Sequence, residues 1–420
     1  MASIPRKIAR LMVFALIVST IILVAVNSSS FGLGGWFGSA QTGPRKLVFS
    51  NNKSKPPEKV VEENYKLLQD VLMKPILEPK TDNLVRPPAD PDQYDRANAT
   101  MLVLVRNREL GQVVRTIKQI EKKFNSKFHY PYVFLNEKPF TDKFMSGIKA
   151  VVSGTAYFEH IDAADWEQPD WIDVKKQNQD MRQLDSENVG YAKQVSYHNM
   201  CRYYSLGFYN HPRLRQFKYY WRFEPGTDYY CDLNYDVFKF MELNNKTYGF
   251  VIALYDVEQS VRTLWPRTLE YLAANPAALH PNGAYDFLLE NQQNPHKTKE
   301  ANGYSTCHFW SNFEIADMDF YRSKPYSDWV SYLDSTGGFY YERWGDAPVH
   351  SVGVGLFEDR DKIHWFRDIG YKHQPYTLCS NCPTCSKCKT AEFTYDHLKD
   401  QNCLANWWKY EMSESQRNIY

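Results

Sequence analysis

The sequence predicts an α/β domain, a mixed and mainly parallel sheet flanked by helices, carried behind a membrane anchor and a stem. Three observations predict it. An apolar run of strand composition, "MLVLV" at 101–105, is followed by a polar turn and then by "ELGQVVRTIKQIEKKFN", whose Val113, Ile117, Ile120 and Phe124 recur at helical spacing. A second strand-like run, in "YPYVFLNEKPF" (130–140), follows, so the domain opens as strand, helix, strand, the unit of a parallel sheet. Aromatic-rich apolar runs at "YYWRFE" (219–224) and "YGFVIALYD" (248–256) supply further strands. In sheets of this kind ligands bind at the carboxyl ends of the strands.

The elements before the sheet are read from the N-terminus. Arg6, Lys7 and Arg10 precede "LMVFALIVSTIILVAV", an uncharged segment from Leu11 to Val26. It is slightly short for a bilayer core of about 30 Å, but uncharged flanks extend it. A cleaved signal peptide is the rival reading, and no clean Ala-x-Ala site follows to support it. Residues 1–10 are expected as a cytosolic tail and 11–26 as a signal-anchor helix, with the remainder in the lumen of a secretory compartment. Residues 27–94 read as stem: a Ser-, Gly-, Asn- and Lys-rich stretch, one helical pattern in "EKVVEENYKLLQDVLMKPILE" (58–78), then a Pro- and Asp-rich linker. The domain proper is 95–420.

Composition agrees with a lumenal address. Sequons stand at Asn52, Asn98 and Asn245, and all eight cysteines lie beyond the anchor, where disulfides are the default. The run "CSNCPTCSKC" (379–388) therefore reads as disulfide-forming; the same spacing in the cytosol would suggest zinc or an iron–sulfur cluster. A formal net charge of +1 creates no field for nucleic acid, and none is expected as a partner. Aromatics make up 15% of the chain; most pack the core, and their flat faces also suit sugar rings and nucleobases.

The candidate site residues follow from position and chemistry. Glu224 ends "YYWRFE" and Pro225-Gly226 forces a turn after it. An acid before Pro-Gly is unremarkable by itself, but at a strand's carboxyl end it can hold a Mg2+ or Mn2+ ion, with His373 in "DIGYKHQPY" as a candidate second ligand. "CHFWSNFEIADMDFYRS" (307–323) sets Trp310, Asn312 and Glu314 in an apolar run, a combination suited to recognising a sugar. "GGFYYERWGDAPVHSVGVGLF" (337–357) adds Glu342, Arg343, Asp346 and His350, of which Arg343 and Asp346 serve equally well as an ion pair capping a helix near Ala347-Pro348. Asp-x-Asp pairs at 90–92, 317–319 and 359–361 end no clear apolar strand, and no metal is assigned to them. Gly-x-Ser-x-Gly, the P-loop and His-Glu-x-x-His are absent, which removes common hydrolase and NTPase classes.

Taken in order, "HYPYVFLNEKPFT", "YHNMCRYYS", "YYWRFEPGTDYYCDLNYDVFKFM", the 307–323 and 337–357 blocks and "DIGYKHQPY" resemble the fungal Golgi α-1,2-mannosyltransferases of glycosyltransferase family 15, over roughly residues 95–380. The resemblance implies a GT-A-type fold on a type II Golgi membrane protein, anchored by its one N-terminal helix. It implies retaining transfer of α-1,2-mannose from GDP-mannose, with Mn2+, to mannosyl acceptors on O- and N-linked glycans. Glu224 and His373 match the family's metal ligands, and Glu314 and Tyr197 match residues placed at the reacting carbon or the acceptor. Arg106, Asn107, Arg222, Trp310, Asn312, Arg343 and Asp346 are the expected substrate contacts. Position 226 is Gly where other members carry a further acid, so a third acidic ligand is missing here. Two other readings are a glycosidase with two carboxylates, needing neither nucleotide nor metal, and a catalytically silent lumenal glycan-binding protein of the same fold.

Overall fold

The computed structural model describes residues 55–420, so the predicted tail, anchor and first part of the stem lie outside the described residues. Among the described residues no helix is long and apolar enough to cross a membrane. The centre is a seven-stranded sheet of β1 (Ala99–Leu104), β2 (Tyr132–Asn136), β3 (Ala156–His160), β4 (Tyr219–Arg222), β6 (Tyr248–Phe250), β9 (Glu314–Asp317) and β10 (Ile363–Trp365). Their order is β10-β6-β9-β4-β1-β2-β3. β9 alone runs against its neighbours β4 and β6; every other pairing is parallel. The mixed, mainly parallel sheet expected from the strand–helix–strand opening is thus present, and the helix after β1 spans Leu110–Lys123 with Val113, Ile117 and Ile120 buried.

Three boundaries differ from the sequence reading, each for a physical reason. β4 stops at Arg222, and Glu224 already belongs to a turn: Pro225 has no N–H for a ladder, and Gly226 takes φ +91°, a conformation that favours glycine. "YGFVIALYD" is not one strand. It breaks at Val251-Ile252 into β6 and β7 (Ala253–Tyr255), and β7 leaves the main sheet to pair with β8 (Cys307–Phe309). The stem assignment of 27–94 also meets folded structure. The helix Pro57–Met73 buries Leu68, Val71 and Leu72 in the main core, and the Asn64 side chain donates to Gln293 and Asn406. Packing apolar side chains into the core makes this segment part of the folded unit, which begins well before residue 95.

A second, three-stranded sheet sets the site. β5 (Asp228–Tyr229), β11 (Tyr371–His373) and β12 (Tyr376–Leu378) lie in the order β12-β11-β5, all antiparallel. The pairs Tyr371 with Tyr229 and Lys372 with Asp228 bring His373 level with the turn that follows Glu224. The Cys231–Cys385 disulfide ties this sheet to the cysteine run, and a Cβ at Gly370 would lie 2.4 Å from the Cys231 sulfur, so only glycine permits that approach. Cys307–Cys403 and Cys379–Cys388 are also bonded, while Cys201 and Cys382 are buried thiols. The run 379–388 thus forms disulfides both internally and with a distant partner.

The three Asp-x-Asp pairs are explained locally. In each, the first carboxylate accepts the backbone N–H two residues on (Asp92, Asp319 and Asp361), capping a short helical turn.

Candidate active site

Arg222, the last residue of β4, organises the site. The antiparallel register sets it opposite Glu314 on β9. Its guanidinium is buried among three carboxylates: it pairs with Asp346, donates to Glu224 Oε1 at 3.0 Å, and stands 3.7 Å from Glu314 Oε1. It also lies over the Tyr204 ring at 3.6 Å. Burial opposes its charge, but Asp346, Glu224 and Glu314 outweigh that and keep it firmly charged. Asp346 is held below the usual carboxylate range in spite of its own burial, by Arg222 and then His350.

Glu314 is fully buried. Its Oε2 accepts the Tyr248 hydroxyl at 3.0 Å and meets His350 Nδ1 at 3.0 Å; its Oε1 has no hydrogen-bond partner. His350 Nε2 faces the Tyr204 carbonyl at 2.9 Å. With an acceptor at each nitrogen the ring carries two protons. Accordingly the His350 pKa is raised: burial works against the charge, and Glu314 overcomes it.

Glu224 and His373 sit together at the open side, each about one-third exposed, with Glu224 Oε2 3.6 Å from His373 Nε2. His373 Nδ1 lies 3.1 Å from the Gln374 carbonyl, which only accepts, so Nδ1 carries a proton and Nε2 is the atom turned to Glu224. Burial disfavours charge on both groups, yet their contact raises His373 and, with Arg222, lowers Glu224. A carboxylate oxygen and an imidazole nitrogen side by side are a donor set that fits a divalent ion. Among the described residues no group of three or more His, Cys, Asp or Glu could enclose an ion.

These residues border a cleft of ≈ 270 Å³ whose walls include Arg106, Tyr197, Tyr204, Arg222 and Glu224. Tyr197 and Tyr204 lie two turns apart on the helix Val195–Leu206 and so share a face. Burial pushes the Tyr197 phenol well above its ordinary range.

The sequence-predicted residues divide accordingly. Glu224, His373, Arg222, Asp346, Glu314, Tyr197 and Arg106 converge on this cleft or on the charged layer behind it. Trp310 walls the site indirectly, its ring edge-on to His373 at 4.7 Å. Asn107 is spent on structure, donating to Pro139 O and accepting from Thr141 N. Asn312 Oδ1 accepts the Tyr371 hydroxyl at 2.8 Å. Arg343 does not pair with Asp346; it meets Asp256 at 3.3 Å and lies over the Tyr197 ring at 5.7 Å. Sequence reasoning named His350 only as one polar group of the 337–357 block, without a role, and missed Tyr204 and Tyr248. His350 follows Asp346 by one turn of the helix Asp346–Phe357, which puts the two side chains on one face.

A sheet with one reversed strand, with the candidate groups gathered at the carboxyl end of β4, defines a GT-A-like glycosyltransferase. The family described as glycolipid 2-alpha-mannosyltransferase (Glyco_transf_15) matches residues 54–412, and the chain belongs to it. It is an α-1,2-mannosyltransferase. "Probable mannosyltransferase KTR4" of Saccharomyces cerevisiae is 48% identical over 372 residues, covering 87% of this chain and 80% of that protein. The X-ray structure of the S. cerevisiae mannosyltransferase Ktr4p in complex with GDP superposes with a TM-score of 0.86 at 47% identity, over 88% of this chain and 95% of that one. The Mn/GDP form of core-mannan synthase A (CmsA/Ktr4) from Aspergillus fumigatus gives a TM-score of 0.79 at 45% identity, over 81% and 93% of the two chains.

Proposed function

We propose that the enzyme transfers mannose from GDP-mannose, with retention, to mannosyl acceptors on O- and N-linked glycans in the Golgi lumen, using Mn2+ held by Glu224 and His373. The Glu224–His373 pair, at the mouth of a cleft floored by Arg222, is the observation that carries this reading. When bound, the ion neutralises the diphosphate leaving group. The other roles belong to side chains. Arg222 adds a fixed positive charge at the cleft floor, held in place by Asp346 and Glu224. Tyr197, kept a phenol by burial, orients a hydroxyl or a sugar oxygen by hydrogen bonding and does not serve as a base. Glu314 lies behind Arg222 with no exposed surface, an arrangement suited to orienting and charge balance more than to attack on a sugar carbon. Attack by the acceptor hydroxyl on the leaving-group face is the course to retention that fits such a Glu314.

The test is turnover by detergent-purified full-length protein with GDP-mannose, Mn2+ and a panel of mannosides, the products read by linkage and anomer analysis. An α-1,2 product is expected. Glu224→Gln and His373→Ala should each cut metal-dependent turnover by at least about a hundredfold while the protein stays folded. Unchanged metal dependence in both variants would overturn the assignment.

A further inference from the structure

Tyr191 occupies the loop between the helices Val174–Ser186 and Val195–Leu206, in the left-handed region at φ 62°. Asn188 in the same loop has the same φ, which an Asn tolerates; a bulky tyrosine there is strained. The fold gains little in return. The residue is 57% exposed. Its one ring contact is with Tyr197, stacked at 4.6 Å and 6° from parallel. Tyr191 lines the same cleft as Arg222 and Glu224, together with the exposed polar side chains Gln194 and Ser196.

A flat ring held open at the rim, with an amide and a hydroxyl beside it, has the chemistry of a sugar-binding surface: C–H faces stack on the ring and hydroxyls find polar partners. Its place relative to the other groups says which sugar. On the reading above that puts the reacting hydroxyl against Tyr197, Tyr191 lies one stacked ring away along the same cleft, in reach of the next sugar of a longer acceptor. We propose that Tyr191, with Gln194, forms a second acceptor subsite that holds the sugar adjoining the one being extended, so that the enzyme favours acceptors of two or more units. This rests on the mannosyltransferase reading above.

The experiment uses full-length wild type, Tyr191→Ala and Tyr191→Phe with GDP-mannose and two acceptors, methyl α-mannoside and the methyl glycoside of a mannobiose. The readout is the ratio of kcat/KM for disaccharide over monosaccharide. Wild type should show a ratio above one, Tyr191→Ala should lower that ratio by about tenfold, and Tyr191→Phe should preserve it, since stacking needs the ring and not the hydroxyl. An equal loss on both acceptors would reduce Tyr191 to a prop for Tyr197 and overturn the subsite. So would an unchanged ratio with about tenfold weaker GDP binding by calorimetry, which would assign the platform to the nucleobase. Wild type that extends neither mannoside would overturn the function itself, and the subsite with it, before any variant is read.

Discussion

Replacing His350 with glutamine isolates the charge behind the cleft. The imidazole is completely buried, and it joins Glu314 Oε2 at 3.0 Å to the Tyr204 carbonyl at 2.9 Å. Tyr321 approaches Nδ1 at 3.4 Å, Asp346 adds its field, and the Phe208 and Tyr326 rings close the sides. The variant loses a charge-assisted hydrogen bond and leaves Glu314 with the Tyr248 hydroxyl and an Arg222 nitrogen 3.7 Å away. Removing one partner of a buried pair costs about 3–5 kcal/mol. For roughly 370 described residues at ~2.1 cal/mol/K each, that is a fall in Tm of about 4–6 °C. The pH dependence has a definite sign. A histidine whose folded pKa is raised contributes stability fully below its unfolded value of about 6.5, and that contribution is lost as pH climbs through the folded value. The destabilisation should therefore be largest in mild acid and shrink as the solution becomes alkaline. Near-UV circular dichroism melts of both proteins across that range supply the difference curve. A Tm difference that does not vary with pH would refute the imidazolium assignment.

Glu314→Ala should abolish most transfer while GDP still binds, and added azide should yield no glycosyl azide; such a product would show that Glu314 reaches the reacting carbon after all. Thiol titration of the denatured, unreduced protein should count two free thiols, Cys201 and Cys382, against six cysteines in disulfides. Four free thiols together with one bound zinc would contradict the bonding of the 379–388 run.

Legibility in the sequence followed periodicity and spacing. β1 and β2 were readable as short unbroken apolar runs, and the helix between them because its apolar residues recur at the helical period. The helix Pro57–Met73 was readable as a helix but not as part of the domain. Its apolar stripe shows that some surface covers it, and only the contacts to Gln293 and Asn406, more than two hundred residues away, show which. The break between β6 and β7 was hidden because both pieces are buried, so no polar residue marks the change of sheet. At the site, the family blocks supplied Glu224 and His373. That Arg222 faces Glu314, and that Arg343 turns to Asp256, depends on strand register and helix placement, which one sequence does not encode locally.

On the proposed assignment of the ion to Glu224 and His373, the charges account for a site with a single carboxylate. Behind the cleft two cations, Arg222 and His350, stand against Glu314 and Asp346, so that layer is neutral by itself. Glu224 is the carboxylate left over, and it is the one at the open side. With His373 protonated, the pair Glu224–His373 is neutral too, and the proton on Nε2 lies between the two atoms that would share an ion. Under the proposed function, exchanging that proton for a divalent cation would turn a neutral mouth positive for an anionic diphosphate. A second acid at position 226 would spoil this balance by pulling the mouth back toward neutrality. The glycine there meets the backbone demand of the turn at φ +91°, and under the proposed function it would leave the ion's charge for the diphosphate.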